Sequence, residues 1–142
     1  MVNENGSLIK TEELIRNFTM GTHRIRAVDG VTLAIPSGNM VAIAGASGCG
    51  KTTLMYLLGA LDRPTSGRVL VDGVEVSSLS RREVVEYRRS KVGFVFQAYY
   101  LVPNLSALEN VMLPLDLCGI PKRQQRNRAE ELLGQVGISE DR

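Results

Sequence analysis

The chain has 142 residues, an apolar fraction of 44% and a formal net charge of +2, a composition that points to one soluble globular domain and excludes a disordered chain. So small a charge gives no case for a nucleic-acid partner, and the basic group Arg81, Arg82, Arg88, Arg89 and Lys91, interrupted by Glu83 and Glu86, reads first as a solvated helix face. Cys49, Cys118 and the single histidine, His23, form neither a disulfide framework nor a zinc-ligand pattern, as suits a reducing cytoplasm.

In chain order, residues 1–10 include Asn3, Glu4 and Asn5 and no long apolar run, so no secretory signal is expected there. Residues 8–15 are a weak strand candidate. Residues 31–35 alternate, with Val31, Leu33 and Ile35 on one face, and predict a half-buried strand. The uncharged stretch from Gly30 to Gly50 is cut by the turn residues Pro36, Ser37, Gly38 and Asn39, which excludes a spanning helix. The apolar residues 40–44 predict a buried parallel strand.

Gly45-Ala46-Ser47-Gly48-Cys49-Gly50-Lys51-Thr52 follows, with glycine, four free positions, Gly-Lys and a hydroxyl residue. A polyphosphate needs several donors converging on a small volume, and a backbone nearly free of side chains can wrap that closely. Leu54, Leu57, Leu58 and Leu61 then mark a helix over 52–61, so the order is strand, glycine loop, helix, and the phosphates would sit on the helix amino terminus. Lys51 would reach the terminal phosphates and Thr52 would join a magnesium shell. Cys49 occupies a free position and is given no catalytic role.

After the turn chemistry of residues 62–67, residues 68–71 predict a strand closing through Asp72-Gly73 into a small antiparallel hairpin. Ser80-Arg81-Arg82-Glu83 has the form of a capping box, opening a helix to about Ser90. Residues 92–96 predict another buried strand, ending at Gln97. Ser106-Ala107-Leu108-Glu109 repeats the capping box, with a helical pattern that Pro114 disturbs. A last helix is expected from Pro121, with Ala129, Leu132, Leu133 and Val136 on one face and Gly137 as its stop.

The loop extended through Thr53, the run Leu61-Asp62-Arg63-Pro64-Thr65-Ser66-Gly67-Arg68-Val69, the strand Val92-Gly93-Phe94-Val95-Phe96-Gln97 and the segment Leu105-Ser106-Ala107-Leu108-Glu109-Asn110-Val111 resemble the ATP-binding subunit of ATP-binding cassette (ABC) transporters. Within that family the stretch 94–115 is similar to the group that includes macrolide exporters and lipoprotein-releasing ATPases. The resemblance implies an α/β phosphate-loop NTPase fold of ABC type with a small antiparallel part. It also implies ATP and Mg2+ as ligands, with Gly45, Ala46, Ser47, Gly48, Cys49, Gly50, Lys51, Thr52 and Thr53 around the phosphates. Phe18 matches the aromatic that stacks on adenine, although a strand-end core residue is the plain alternative. Gln97 matches the residue that meets magnesium or the attacking water; without the resemblance it reads as a surface side chain. Lys51 and Gln97 are the expected catalytic groups, and Thr52 and Gln97 the magnesium contacts.

The family's Leu-Ser-Gly-Gly-Gln signature, its strand ending in Asp-Glu and its switch histidine do not occur in residues 1–142. Residues 1–142 are therefore expected to be the amino-terminal part of an ABC-type ATP-binding domain, lacking central strands of the parallel sheet. The resemblance further implies a homodimer of ATP-binding subunits, seated through membrane permeases on the inner face of the cell membrane. Two other readings stay open: a non-hydrolysing nucleotide-binding fragment or decoy, and another phosphate-loop NTPase or kinase. The absence of an Asn-Lys-x-Asp guanine reader weighs against a GTPase.

Overall fold

A computed structural model describes residues 7–138; residues 1–6, part of the stretch read against a secretory signal, lie outside it. The chain divides into two compact units, Met1–Gly93 and Phe94–Arg142.

In the first unit, β1 (Ser7–Met20) turns through Gly21 and Thr22 into β2 (His23–Pro36), antiparallel from Ser7 opposite Pro36 to Met20 opposite His23. β1 also pairs with β3 (Ser66–Val71), which returns through Asp72 and Gly73 into the short β4 (Val74–Glu75), giving the antiparallel order β2-β1-β3-β4. β1 runs on to Met20, past the expected end at residue 15, through continued pairing with β2, and its register shifts between Thr11 and Leu14, where Glu13 takes a φ of 45°. Such a bulge interrupts the period of two on which a strand is recognised. The buried Thr11 hydroxyl bridges the irregularity, donating to the Val31 carbonyl at 2.8 Å and accepting from the Leu33 N–H at 3.1 Å.

α1 (Lys51–Leu58) lays Leu54 and Leu57 onto this sheet, where they join Leu14, Val28, Val69, Val71 and Val76 in one buried cluster. The helix stops short of residue 61 because Ala60 adopts a left-handed φ of 54° and the Tyr56 carbonyl accepts from both Leu61 and Asp62 N–H. After a single 3₁₀ turn (Val76–Ser78) comes α2 (Arg81–Lys91), opened by the full Ser80–Glu83 capping box. Its Tyr87 hydroxyl donates to the Leu58 carbonyl at 3.2 Å, tying α2 to the end of α1, and burial pushes that phenol's pKa up.

Residues 40–44 and 92–96 are not strands: neither run is paired, and Met40 and Val95 are fully exposed. The apolar runs are as the sequence shows them, but a parallel strand exists only by hydrogen bonding to neighbours. Among the described residues no strand pairs with either one.

The second unit is a pair of helices. α3 (Ala107–Leu117) starts at the Ser106–Glu109 capping box and continues through Pro114, which lies exposed within the helix. α4 (Lys122–Gln135) begins just after Pro121 and ends before Gly137, which takes a φ of 77°. The buried Gln125 amide joins the helices, donating to Asp116 Oδ1 at 2.9 Å and to the Ile120 carbonyl at 2.7 Å. Asn110 fastens the preceding loop, accepting from Val102 N–H at 2.8 Å and donating to the Leu105 and Ser106 carbonyls at 3.0 Å. Among the described residues, no helix is long and apolar enough to cross a membrane.

Candidate functional site: the glycine loop at the start of α1

Residues 45–49 form an exposed loop that runs directly into the first turn of α1. Gly50 is the helix N-cap, with a φ of 92°, and supplies no side chain to the helix's free N–H groups. Position 50 also abuts β2 so closely that a Cβ would overlap the Ala27 carbonyl oxygen. Only glycine satisfies both demands, so the loop is pinned to the sheet while its donors stay open to solvent. No acidic side chain occupies the first turn, which leaves the positive end of the helix dipole available to an anion.

Lys51 folds back over the loop. Its Nζ donates to the Gly45 carbonyl at 3.0 Å and the Ala46 carbonyl at 2.7 Å, and lies 3.7 Å from Cys49 Sγ. The ammonium therefore spans the loop from one rim to the other, and a phosphate above the backbone donors would meet this charge. Thr52 is exposed on the same turn and Thr53 is half-buried beside it. A cleft of about 300 Å³ lies between the loop and β2, bounded by Arg26, Asp29, Ile43, Cys49, Lys51 and Leu54 among others.

Phe18 belongs to the same unit. It stands opposite Ile25 on β2, two residues from the Ala27 carbonyl that backs Gly50, so the register brings it to within about 10 Å of that contact along the strands. Its ring is partly exposed, and the Arg16 guanidinium lies 4.5 Å from the ring centroid. Arg16 in turn forms a two-pronged pair with Asp62, Nε to Oδ2 at 2.7 Å and Nη2 to Oδ1 at 2.9 Å. No role is assigned from sequence to Arg16, Ala27 or Asp62, because the Arg16–Asp62 and Ala27–Gly50 contacts join residues far apart in the chain. Gln97 lies in the second unit, exposed, at a bend after residues 92–96. Among the described residues, no cluster of three or more His, Cys, Asp or Glu side chains could hold a metal ion. The exposed Thr52 hydroxyl is an oxygen donor of the kind magnesium takes while keeping much of its water shell.

The profile of the family described as ABC transporter matches residues 28–142. The chain is 45% identical over 135 residues to the macrolide export ATP-binding/permease protein MacB of Vibrio parahaemolyticus, covering 95% of this chain and 20% of that protein. It is 40% identical over 133 residues to the lipoprotein-releasing system ATP-binding protein LolD of Geobacter metallireducens, covering 94% and 59%. An ABC transporter ATP-binding protein of Mycobacterium tuberculosis is 44% identical over 132 residues, covering 93% of this chain and 40% of that protein. The chain thus spans less than two thirds of the length of these relatives. Among solved structures, the dimeric ATP-binding cassette MJ0796 in a post-hydrolysis state with ADP and Pi superposes with a TM-score of 0.85 at 38% identity, over 94% of this chain and 59% of that one. With its glycine loop in place at the head of α1 and more than half of its length matched by one family profile, the chain belongs to the ABC transporter family.

Proposed function

We propose that the chain is the ATP-binding part of a transporter, coupling ATP binding and hydrolysis to transport by a membrane permease partner. The observation that carries this reading is the exposed loop 45–50 entering α1 with Lys51 laid across it. Backbone donors of residues 48–53 receive the β- and γ-phosphates, and Lys51 exchanges its loop carbonyls for phosphate oxygens. Thr52 and Gln97 would hold a magnesium ion, which would supply positive charge to the phosphates. Gln97 is the residue proposed to orient the attacking water, and Phe18 the platform for the base. Two cassettes clamping ATP between them, as in a homodimer, and attachment through permeases to the inner membrane face complete the reading; the dimeric cassette structure supports the first and the relatives' names the second.

A second reading concerns residues 1–142 taken by themselves. They lack an apolar strand ending in Asp-Glu to position water, since Asp72 at the end of β3 is followed by the turn residue Gly73, so they bind nucleotide without turnover. Calorimetric titration with Mg-ATP, with GTP as competitor, tests the first reading. Lys51→Ala is expected to weaken ATP binding at least about tenfold, the usual scale for a charge-assisted contact to phosphate. ATP affinity unchanged by that substitution overturns the site. Steady phosphate release by residues 1–142 that is lost in Lys51→Ala overturns the second reading.

A further inference from the structure

We propose that Arg16, clamped by Asp62, is a positioning residue for nucleotide-base recognition: it covers one face of the Phe18 ring, leaves the other for the base, and ties that platform to the far end of the phosphate-loop helix. The proposal rests on the reading of loop 45–53 and Phe18 as parts of an ATP site.

Three observations converge on it. The Arg16 guanidinium lies 4.5 Å from the Phe18 centroid, a distance at which a cation is attracted to an aromatic face. One edge of the guanidinium, Nε and Nη2, is occupied by the two Asp62 oxygens at 2.7 and 2.9 Å, with the two side chains 24% and 26% exposed. A planar fork held at two points has little rotational freedom, so the ring beneath it is held as well. Asp62 is itself fixed: its Oδ1 accepts from Arg63 N–H at 2.7 Å, and its own N–H donates to the Tyr56 carbonyl of α1.

The connectivity gives the arrangement its meaning. α1 starts at the phosphate loop, and just beyond its end Asp62 reaches back to the strand that bears Phe18. A second tie runs in parallel, with Thr65 N–H donating to the Ile15 carbonyl at 2.8 Å and the Thr65 hydroxyl accepting from Asn17 N–H at 3.0 Å. One rigid path therefore links the donors for the phosphates to the platform for the base. Its length selects a ligand whose aromatic base stands a fixed distance from its triphosphate. With one ring face closed by a cation, the base has a single face on which to stack. A cation on the far side also draws electron density from the ring and favours an electron-rich purine on the open side.

The test compares Mg-ATP with inorganic tripolyphosphate, which has the anion and no base, by titration calorimetry on the full chain. For the unaltered protein, ATP is expected to bind tighter than tripolyphosphate by roughly five- to 150-fold, the range of one base–aromatic stack. In Arg16→Met that preference falls by about five- to tenfold while tripolyphosphate affinity stays the same. Asp62→Asn, which keeps the cation and loosens its clamp, gives a smaller loss in the same direction, and Arg16→Lys restores part of it. A general loosening of the fold would weaken both ligands together, so the ratio separates positioning from structure. Arg16→Met and Asp62→Asn proteins that keep the full ATP preference overturn the proposal and leave the phosphate site standing. Equal binding of the two ligands by the unaltered protein overturns it at Phe18. Failure of both ligands to bind overturns the nucleotide site itself.

Discussion

The two units are equally well signposted in sequence, yet they are held together differently. In Met1–Gly93 seven buried apolar residues from β1, β2, β3, α1 and the 3₁₀ turn meet in one cluster. In Phe94–Arg142, among the described residues, only Gln125 and Ala129 are buried, while Tyr99, Tyr100, Leu101 and Leu117 are exposed. The second unit relies on local devices: a capping box, the Asn110 and Gln125 amides, and the exposed ion pairs Arg126–Glu130 and Arg128–Glu131. Exposed helix pairs contribute about 0.3–0.5 kcal/mol each. A good helix signal is thus no measure of a core; burial comes from what other segments bring to a helix face. The phosphate loop sits in the unit with the core, and Gln97 in the unit without one.

Several substitutions would sharpen or break this contrast. Leu14→Ala, at a fully buried site of the first unit, is expected to cost about 2–5 kcal/mol in urea unfolding followed by circular dichroism. A loss under about 1 kcal/mol would show that the sheet–helix cluster is not a packed core. Gln125→Ala leaves Asp116 and the Ile120 carbonyl without a donor and is expected to cost about 1–3 kcal/mol, read as faster hydrogen exchange in α3 and α4 with β1–β3 unchanged. Exchange that accelerates equally in both units would erase the distinction. Ser106→Ala removes the cap of α3 and costs about 1 kcal/mol, detectable as lost helical signal on heating. Leu117→Ala, at a residue 73% exposed, should change stability by less than about 0.5 kcal/mol.

Acid should act alike on both units. Glu83 is held below the usual carboxylate value of 4.5 by hydrogen bonds from Ser80, the side chain foremost, and Glu109 by those from Ser106, the backbone foremost. A lowered folded-state pKa means that the ionised caps stabilise α2 and α3 above the ordinary pKa, and that this contribution is lost as pH falls through the lowered value. Helical circular dichroism between pH 7 and 3 should therefore decline below about 4.5, with a shallower slope in Ser80→Ala and Ser106→Ala proteins. An unchanged slope would place the acid sensitivity elsewhere.

What could be read from sequence follows the range of the interactions. Both capping boxes, the Asp72–Gly73 turn and the loop 45–53 depend on residues within a few positions of one another, and all are in place. Residues 40–44 and 92–96 have the composition of strands but depend on neighbours that local sequence does not specify. The end of β1 was hidden for a different reason, since the Glu13 bulge breaks the alternation by which a strand is recognised. α3 passed through Pro114 because a proline's missing donor is tolerable on an exposed helix face that is anchored at both ends by Ser106 and Asp116. The Arg16–Asp62 pair behind Phe18 was invisible for the same reason as the parallel strands: its two residues are 46 positions apart.

The contact between Gly50 and Ala27 has a mechanical consequence. Because even a methyl group is too large for that gap, the foot of α1 cannot be brought any nearer to β2. The antiparallel hairpin of β1 and β2 is thus a backstop for the loop: a displacement toward the sheet would meet the Ala27 carbonyl without free travel.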